Sequence, residues 1–311
     1  MTRLATLEAR TPPMAALAVS VAAISTSAIL VRFSDAPSVV KAFYRVLFTT
    51  LALAPFAVTR YREDLRALSG RDALWAVVTG VALAAHFAAW FESLEWTTVA
   101  ASTTLVQAQP LFVAIGAAVL LDERVTRRMA AGVLVAVGGV AAMSLGGLLS
   151  GAALAGARPL YGNGLALVGA VMSGGYVLAG RSLRQRVALV PYVTVVYSAC
   201  AVVLLGVAVV EVDAGGPVAT VGALTDYPLE EWLLFAGMAV GPGVFGHTVI
   251  NWALKYVESS VVSASLLGEP VGSTLLALAL LGEVPDAFTV AGGAVVLAGI
   301  YVAASGRPAG G

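Results

Sequence analysis

Gln109-Pro110 opens a run that closes on Leu120-Leu121-Asp122-Glu123-Arg124, and Glu269-Pro270 opens a second that closes on Leu280-Leu281-Gly282-Glu283-Val284. Corresponding residues of the two runs lie 160 positions apart, and the same offset carries Gly132 to Gly292 and Gly139 to Gly299. Earlier in the chain an offset of 148 carries Leu17, Ser25 and Leu30 to Leu165, Ser173 and Leu178. His86 and Trp90 sit four apart in the first copy, as His247 and Asn251 do in the second. The chain is therefore one pattern written twice, over 1–150 and 151–311.

What is repeated is membrane-spanning helix. Of 311 residues, 59% are hydrophobic and 12% charged, with 18 basic against 18 acidic side chains. The mean hydropathy is +0.91. Soluble domains carry about a quarter charged residues. A water-soluble enzyme, a disordered chain and a nucleic-acid binder, which needs a basic excess, are all excluded. A span takes roughly 20 apolar residues. Ten segments answer to that, near 14–32, 38–59, 73–94, 98–121, 129–149, 161–180, 190–211, 231–254, 259–281 and 287–304. In lipid they must be helices, because an open strand edge leaves polar backbone unpaired. The first run, behind Arg3 and Arg10, is long for a signal-peptide core and has a counterpart in the second copy. It reads as a retained helix.

Orientation follows from the basic residues. With the N-terminus in the cytoplasm, 14 of the 18 fall inside, from Arg3 and Arg10 through Arg60, Arg124 and Arg181 to Lys255 and Arg307. Only Arg32 and Arg158 fall outside, while Lys41 and Arg45 lie within the second span. Both termini are expected inside. Five spans per copy is an odd number, so the second copy enters the membrane upside down, with Glu123 inside and Glu283 outside. The expected fold is an all-α membrane protein of ten transmembrane helices in two inverted five-helix repeats, in the cytoplasmic membrane. Inverted repeats are the architecture of alternating-access carriers, with substrate bound near mid-membrane between the copies.

The two Pro-x(9)-Leu-Leu motifs with their acidic ends, and the stretch Gly246-His247-Thr248-Val249-Ile250-Asn251-Trp252-Ala253-Leu254, resemble the EamA branch of the drug/metabolite transporter superfamily. The resemblance covers about 14–304. It implies ten helices in two inverted halves and, often, export of amino acids, metabolites or drugs. This chain departs from an even repeat where Glu283-Val284-Pro285 stands against Glu123-Arg124-Val125.

Ionisable groups inside a membrane are costly and need a reason. Lys41 and Arg45 are one turn apart on one face of the second span, with Tyr44 beside them. Read functionally they are a cationic wall for a carboxylate or other anion; otherwise Lys41 snorkels to the surface and Arg45 pairs structurally. Glu269 is the deepest acid and the candidate for proton coupling. Gln109-Pro110 and Glu269-Pro270 place helix-breaking residues at matched positions, as a binding site between repeats would. His86 with Trp90, His247 with Asn251, and the weaker candidates Gln107, Tyr176, Tyr197 and Glu92 complete the expected cavity lining. Interhelical hydrogen bonding or aromatic packing is the plainer role for each. Pro110, Pro270, Gly174-Gly175 and Gly241-Pro242-Gly243 are candidate kinks or hinges. Gly132, Gly139, Gly292 and Gly299 place small residues along one helix face, and the fifth and tenth helices are expected to brace each half. No metal site is expected, since two lone histidines have no Cys or carboxylate cluster. No cofactor is expected, and the absence of a phosphate-cradling GxxxxGK[ST] loop argues against direct ATP drive.

The sequence thus favours a secondary carrier, an exporter of a small amphipathic metabolite, with lipid as its surroundings. A homodimer is left open. An intramembrane enzyme lacks a visible nucleophile or acid pair, and a receptor would not need an inverted repeat.

Overall fold

The computed structural model describes residues 12–120, 126–149, 156–184, 186–212, 216–250 and 265–304. Asn251, Lys255 and Leu121-Asp122-Glu123-Arg124 lie outside them.

Every regular element among the described residues is helical. In the first copy these are α1 (Pro13–Ser25), α2 (Ser27–Phe33), α3 (Ser38–Arg60), α4 (Arg62–Arg66), α5 (Gly70–Trp96), α6 (Val99–Val106), α7 (Gln109–Leu120) and α8 (Arg127–Leu149). The second holds α9 (Pro159–Arg184), α10 (Leu189–Glu211), α11 (Pro217–Thr225), α12 (Leu229–Met238), a π-helical stretch (Ala239–Thr248), α13 (Gly268–Leu281) and α14 (Ala287–Ala304). The segments Pro13–Phe33, Ser38–Arg60, Gly70–Trp96, Pro159–Arg184 and Leu189–Glu211 are each long and apolar enough to cross a membrane. The short helices α4 and α11 fall in loops where the sequence predicts none. Pro217 starts α11 at a position where a missing N–H costs nothing.

The distribution of side chains is the reverse of a water-soluble globule. Leu134, Val202 and Leu233 are 72%, 69% and 63% exposed, while Lys41, Arg45 and Glu269 are at most 8% exposed. An apolar surface over a core with buried ions suits a lipid solvent, where all backbone groups must pair within the helices.

Numbered by the ten apolar segments of the sequence, the helices of the two copies interleave, and their contacts come in exchanged pairs. The first span (α1) packs on the π-helical stretch of the eighth, as the sixth (α9) packs on the third (α5). The first also packs on the ninth (α13), as the sixth packs on the fourth (α6, α7). The second meets the eighth, as the seventh (α10) meets the third. The second and seventh meet each other, and so do the fifth (α8) and tenth (α14). This last pair corrects an expectation. Rather than each bracing its own half, α8 and α14 lie along one another and join the two. The repeated glycines are the reason. A Cβ on Gly139 would stand 2.6 Å from the Val296 nitrogen and 2.8 Å from the Gly292 oxygen, and one on Gly299 would stand 2.7 Å from the Gly132 oxygen. Bare backbone meets bare backbone at both crossings.

Three of these segments are interrupted. The first breaks at Thr26, whose hydroxyl turns back to the Ala23 carbonyl at 2.7 Å. The fourth breaks between Val106 and Gln109, and the ninth at Leu267. Pro110 and Pro270 therefore sit in the first turn of a new helix, and the breaks lie two to three residues before them, where a proline without an N–H leaves the carbonyl one turn back unbonded. Gly174-Gly175, in contrast, lies inside the unbroken α9, and Gly174 makes room for Phe112, whose Cβ would be 3.1 Å from an added methyl.

Candidate functional site

The interruptions lie where polar side chains of both copies converge. Arg45, on α3, is buried. Its Nη1 donates to Ser27 Oγ at 2.9 Å, at the start of α2 just past the break. Its guanidinium carbon stands 4.6 Å from the Phe87 ring, 5.5 Å from Phe91 and 6.0 Å from Trp90, all on α5. These aromatics give cation–π attraction but carry no countercharge. Among the described residues the ion pairs are Arg32–Glu283, Lys41–Glu95 and Arg186–Asp72, so Arg45 belongs to none. An ion held in a low-dielectric interior with most of its donors idle costs on the order of several kcal/mol.

Around it the rings are ordered. His86 Nδ1 lies 2.9 Å from the Gly169 carbonyl oxygen of α9, which fixes the imidazole. His86 stacks on Trp90, with 6.0 Å between centroids and 13° between planes. His247 of the π-helical stretch meets Phe87 edge-on at 6.4 Å. Trp90 is buried, and its indole Nε1 has no hydrogen-bond partner among the described residues. A second polar group forms at the breaks of the fourth and ninth spans, where Gln107 Nε2 donates to Glu269 Oε2 at 2.5 Å. Ser273 Oγ, one turn beyond Glu269, donates to the Ser25 carbonyl at 3.1 Å, and Ser25 Oγ lies 3.4 Å from the Glu269 carbonyl oxygen. The counterpart in the other copy is Ser173 Oγ donating to Gln109 Oε1 at 2.8 Å.

Of the residues singled out in the sequence, Arg45, His86, Trp90 and His247 share one cluster; Gln107 and Glu269 form the adjoining pair. Gln109 stands on the α7–α9 contact. Asn251 lies outside the described residues. Other members are drawn elsewhere. Lys41 Nζ donates to Glu95 Oε1 at 2.8 Å and faces a separate cavity of about 540 Å³, which Asp35, Glu92, Glu211 and Glu283 also line. Tyr44 stacks on Phe235 at 4.9 Å and gives its hydroxyl to the Leu224 carbonyl at 2.8 Å, as a packed aromatic. Tyr176 packs against the core beside α10.

The sequence reading passed over Ser27, Phe87 and Phe91. Phe87 and Phe91 share a helix face with Trp90, but nothing local marks which of many apolar residues will meet an arginine. It also passed over three links between the copies beside the 540 Å³ cavity. Arg32 Nη2 donates to Glu283 Oε1 at 2.5 Å. The other oxygen of Glu283 accepts from Val99 N at 2.9 Å, satisfying the N-terminus of α6. Glu231 of α12 accepts from Ser34 Oγ at 2.5 Å and from Asp35 N at 2.7 Å. Partners some 200 residues apart cannot be paired from one sequence.

Comparison with known proteins fixes the family. The EamA-like transporter family model matches twice, over 12–145 and 160–305. The chain belongs to that family. An uncharacterized transporter of Archaeoglobus fulgidus is 27% identical over 207 residues, which is 65% of this chain and 66% of that protein. The chain thus spans slightly under two thirds of the relative's length. A solved structure described only as "Crystal structure of protein" aligns over 94% of this chain and 96% of its own with a TM-score of 0.62. At 19% identity it speaks for a shared fold alone. Among the described residues no group of three or more His, Cys, Asp or Glu side chains is placed to hold a metal.

Proposed function

We propose that this EamA-family protein is a secondary carrier of the cytoplasmic membrane. In this reading ten spans in two inverted halves, both termini cytoplasmic, move a small amphipathic metabolite outward by alternating access. The observation that carries it is the convergence of polar groups from both copies at interrupted helices in mid-span, through contacts that the repeat exchanges. Ser25 with Glu269 and Ser173 with Gln109 are such a pair. The family matches start 148 residues apart (12 and 160) and end 160 apart (145 and 305), which supports the division into halves. Discontinuous helices at matched positions expose backbone groups to a substrate at the repeat interface.

The cycle then rocks one half against the other. The Arg32–Glu283–Val99 and Glu231–Ser34 links close the outer end, and breaking them opens it. Glu269, held by Gln107, is the group that carries the coupled proton. Transport of a labelled metabolite panel in proteoliposomes tests the carrier reading: saturable uptake without chemical change is expected, and its absence for correctly folded protein refutes it. Glu269→Gln should abolish proton-driven accumulation while leaving substrate exchange intact. If accumulation in that variant keeps its pH dependence, coupling runs through another group.

A further inference from the structure

We infer that the transported compound is an organic anion, and that Arg45 and the Trp90 indole N–H receive its carboxylate together. The inference rests on the carrier reading and adds the substrate's charge class and the donor pair.

Two separate deficits in the cluster point the same way. The first is on Arg45. A guanidinium has five N–H donors, yet among the described residues one is used, toward Ser27 Oγ. The acid acting on it most strongly, Glu269, is outside ion-pair distance and already bonded to Gln107. Its nearest neighbours are the faces of Phe87, Phe91 and Trp90, which accept no N–H···O bond. The second deficit is on Trp90, whose Nε1–H is buried and points at no acceptor. Buried indole N–H groups normally find a partner. Both idle groups are donors, and both lie at one place, with the guanidinium carbon 6.0 Å from the Trp90 ring. What satisfies donors alone is an acceptor, and what satisfies a buried cation is a negative one.

The surroundings narrow the ligand further. Lys41 is withdrawn into its pair with Glu95, so a single cation serves the site and a single negative charge matches it. His86 is committed to the Gly169 carbonyl. The remaining walls nearby are aromatic, which suits an apolar body behind the carboxylate. A dianion would leave one charge unpaired in the same low-dielectric space.

The test uses the full-length protein in detergent and in proteoliposomes. Probes are matched acid–amide pairs: acetate with acetamide, isovalerate with isovaleramide, phenylacetate with phenylacetamide, and indole-3-acetate with its amide, plus sodium chloride alone. Binding is read by calorimetry and thermal shift, and flux by counterflow. At least one carboxylate is expected to bind at least tenfold tighter than its amide. Trp90→Phe, which keeps the ring and removes the N–H, should weaken that carboxylate about tenfold and its amide by a smaller factor, because a neutral carbonyl accepts the weaker hydrogen bond. Arg45→Lys, which keeps the charge but loses the planar fork, should weaken it as well. Arg45→Gln should erase the preference for acid over amide, and native-like unfolding behaviour of Trp90→Phe guards against simple misfolding. Equal affinity for acids and amides overturns the proposal, as do stabilisation by chloride equal to that by carboxylates, and failure of every carboxylate to bind. Saturable flux of neutral or cationic compounds with no carboxylate flux would overturn the charge class and leave the carrier intact. No flux of any compound would instead overturn the carrier.

Discussion

Lys41 and Arg45 are four residues apart on one helix, and the structure gives them opposite surroundings. Lys41 reaches Glu95, whose side chain is 41% exposed, and so completes an ion pair at the wall of the 540 Å³ cavity. Arg45, one turn deeper, meets aromatic faces. The sequence tells that both are unusual, because a charged residue in a span always is. It does not tell which one keeps a partner, since Glu95 is 54 residues from Lys41 in the chain. Asp286, which the sequence reading passed over, has partners that are local. Its carboxylate accepts from the Phe288 and Thr289 N–H groups at 2.9 and 3.0 Å and from the Thr289 hydroxyl at 2.6 Å, capping α14 in the loop before it. Burial alone would raise this carboxyl; the hydrogen bonds outweigh it and hold the group below the ordinary aspartate range. The folded state is thus stabilised above the unfolded pKa, and that contribution is lost as pH falls through the folded value. Asp286→Ala should cost about 1 kcal/mol at neutral pH. The gap in unfolding midpoint from the parent should shrink as the buffer is taken into acid; a gap constant across that range would mean the cap's charge is irrelevant.

At the scale of the element, the repeated glycines say more than their abundance. Their seven-residue recurrence in the fifth and tenth spans predicts a close helix contact, but not which helix is met. That is settled by three-dimensional exchange, with Gly139 against Gly292 and Gly132 against Gly299. The neighbouring Gly138 has nothing within 4 Å of where a Cβ would stand. Gly139→Ala should therefore force α8 off α14 and destabilise the protein by about 1–3 kcal/mol. Gly138→Ala should be neutral or gain up to about 1 kcal/mol from helix propensity. Thermal unfolding of the two variants in detergent compares them directly, and equal effects would mean that backbone contact does not set this interface. The prolines are legible in the same way. Gln109-Pro110 and Glu269-Pro270 predict disturbed helices, and the helices stop at Val106 and Leu266, the carbonyls four residues back that a proline without an N–H leaves unbonded. The π-helical stretch around Pro242 has no such counterpart in α5, so the two copies differ most where one of them carries Gly241-Pro242-Gly243.

Across the whole molecule, charge is scarce and sorted. The acids Glu231 and Glu283 tie the two copies together. Each of these ties joins a residue of the first copy to one of the second, so none survives a rigid-body separation of the halves at that end. Three observations fix where a constraint should act. Ser34 precedes the second span, Glu231 opens the eighth, and their side chains are hydrogen-bonded while buried. A pair Ser34→Cys and Glu231→Cys, in a Cys200→Ala background, joined by a short cleavable bifunctional thiol reagent, holds that end closed. Alternating access then requires that substrate flux in proteoliposomes fall at least tenfold and return on reduction. Binding of substrate from the opposite face should persist in the joined protein, because the Arg45 cluster is not touched. Full flux through joined protein would mean that the outer links are static struts, and the opening of the cycle would have to be sought between other pairs of spans.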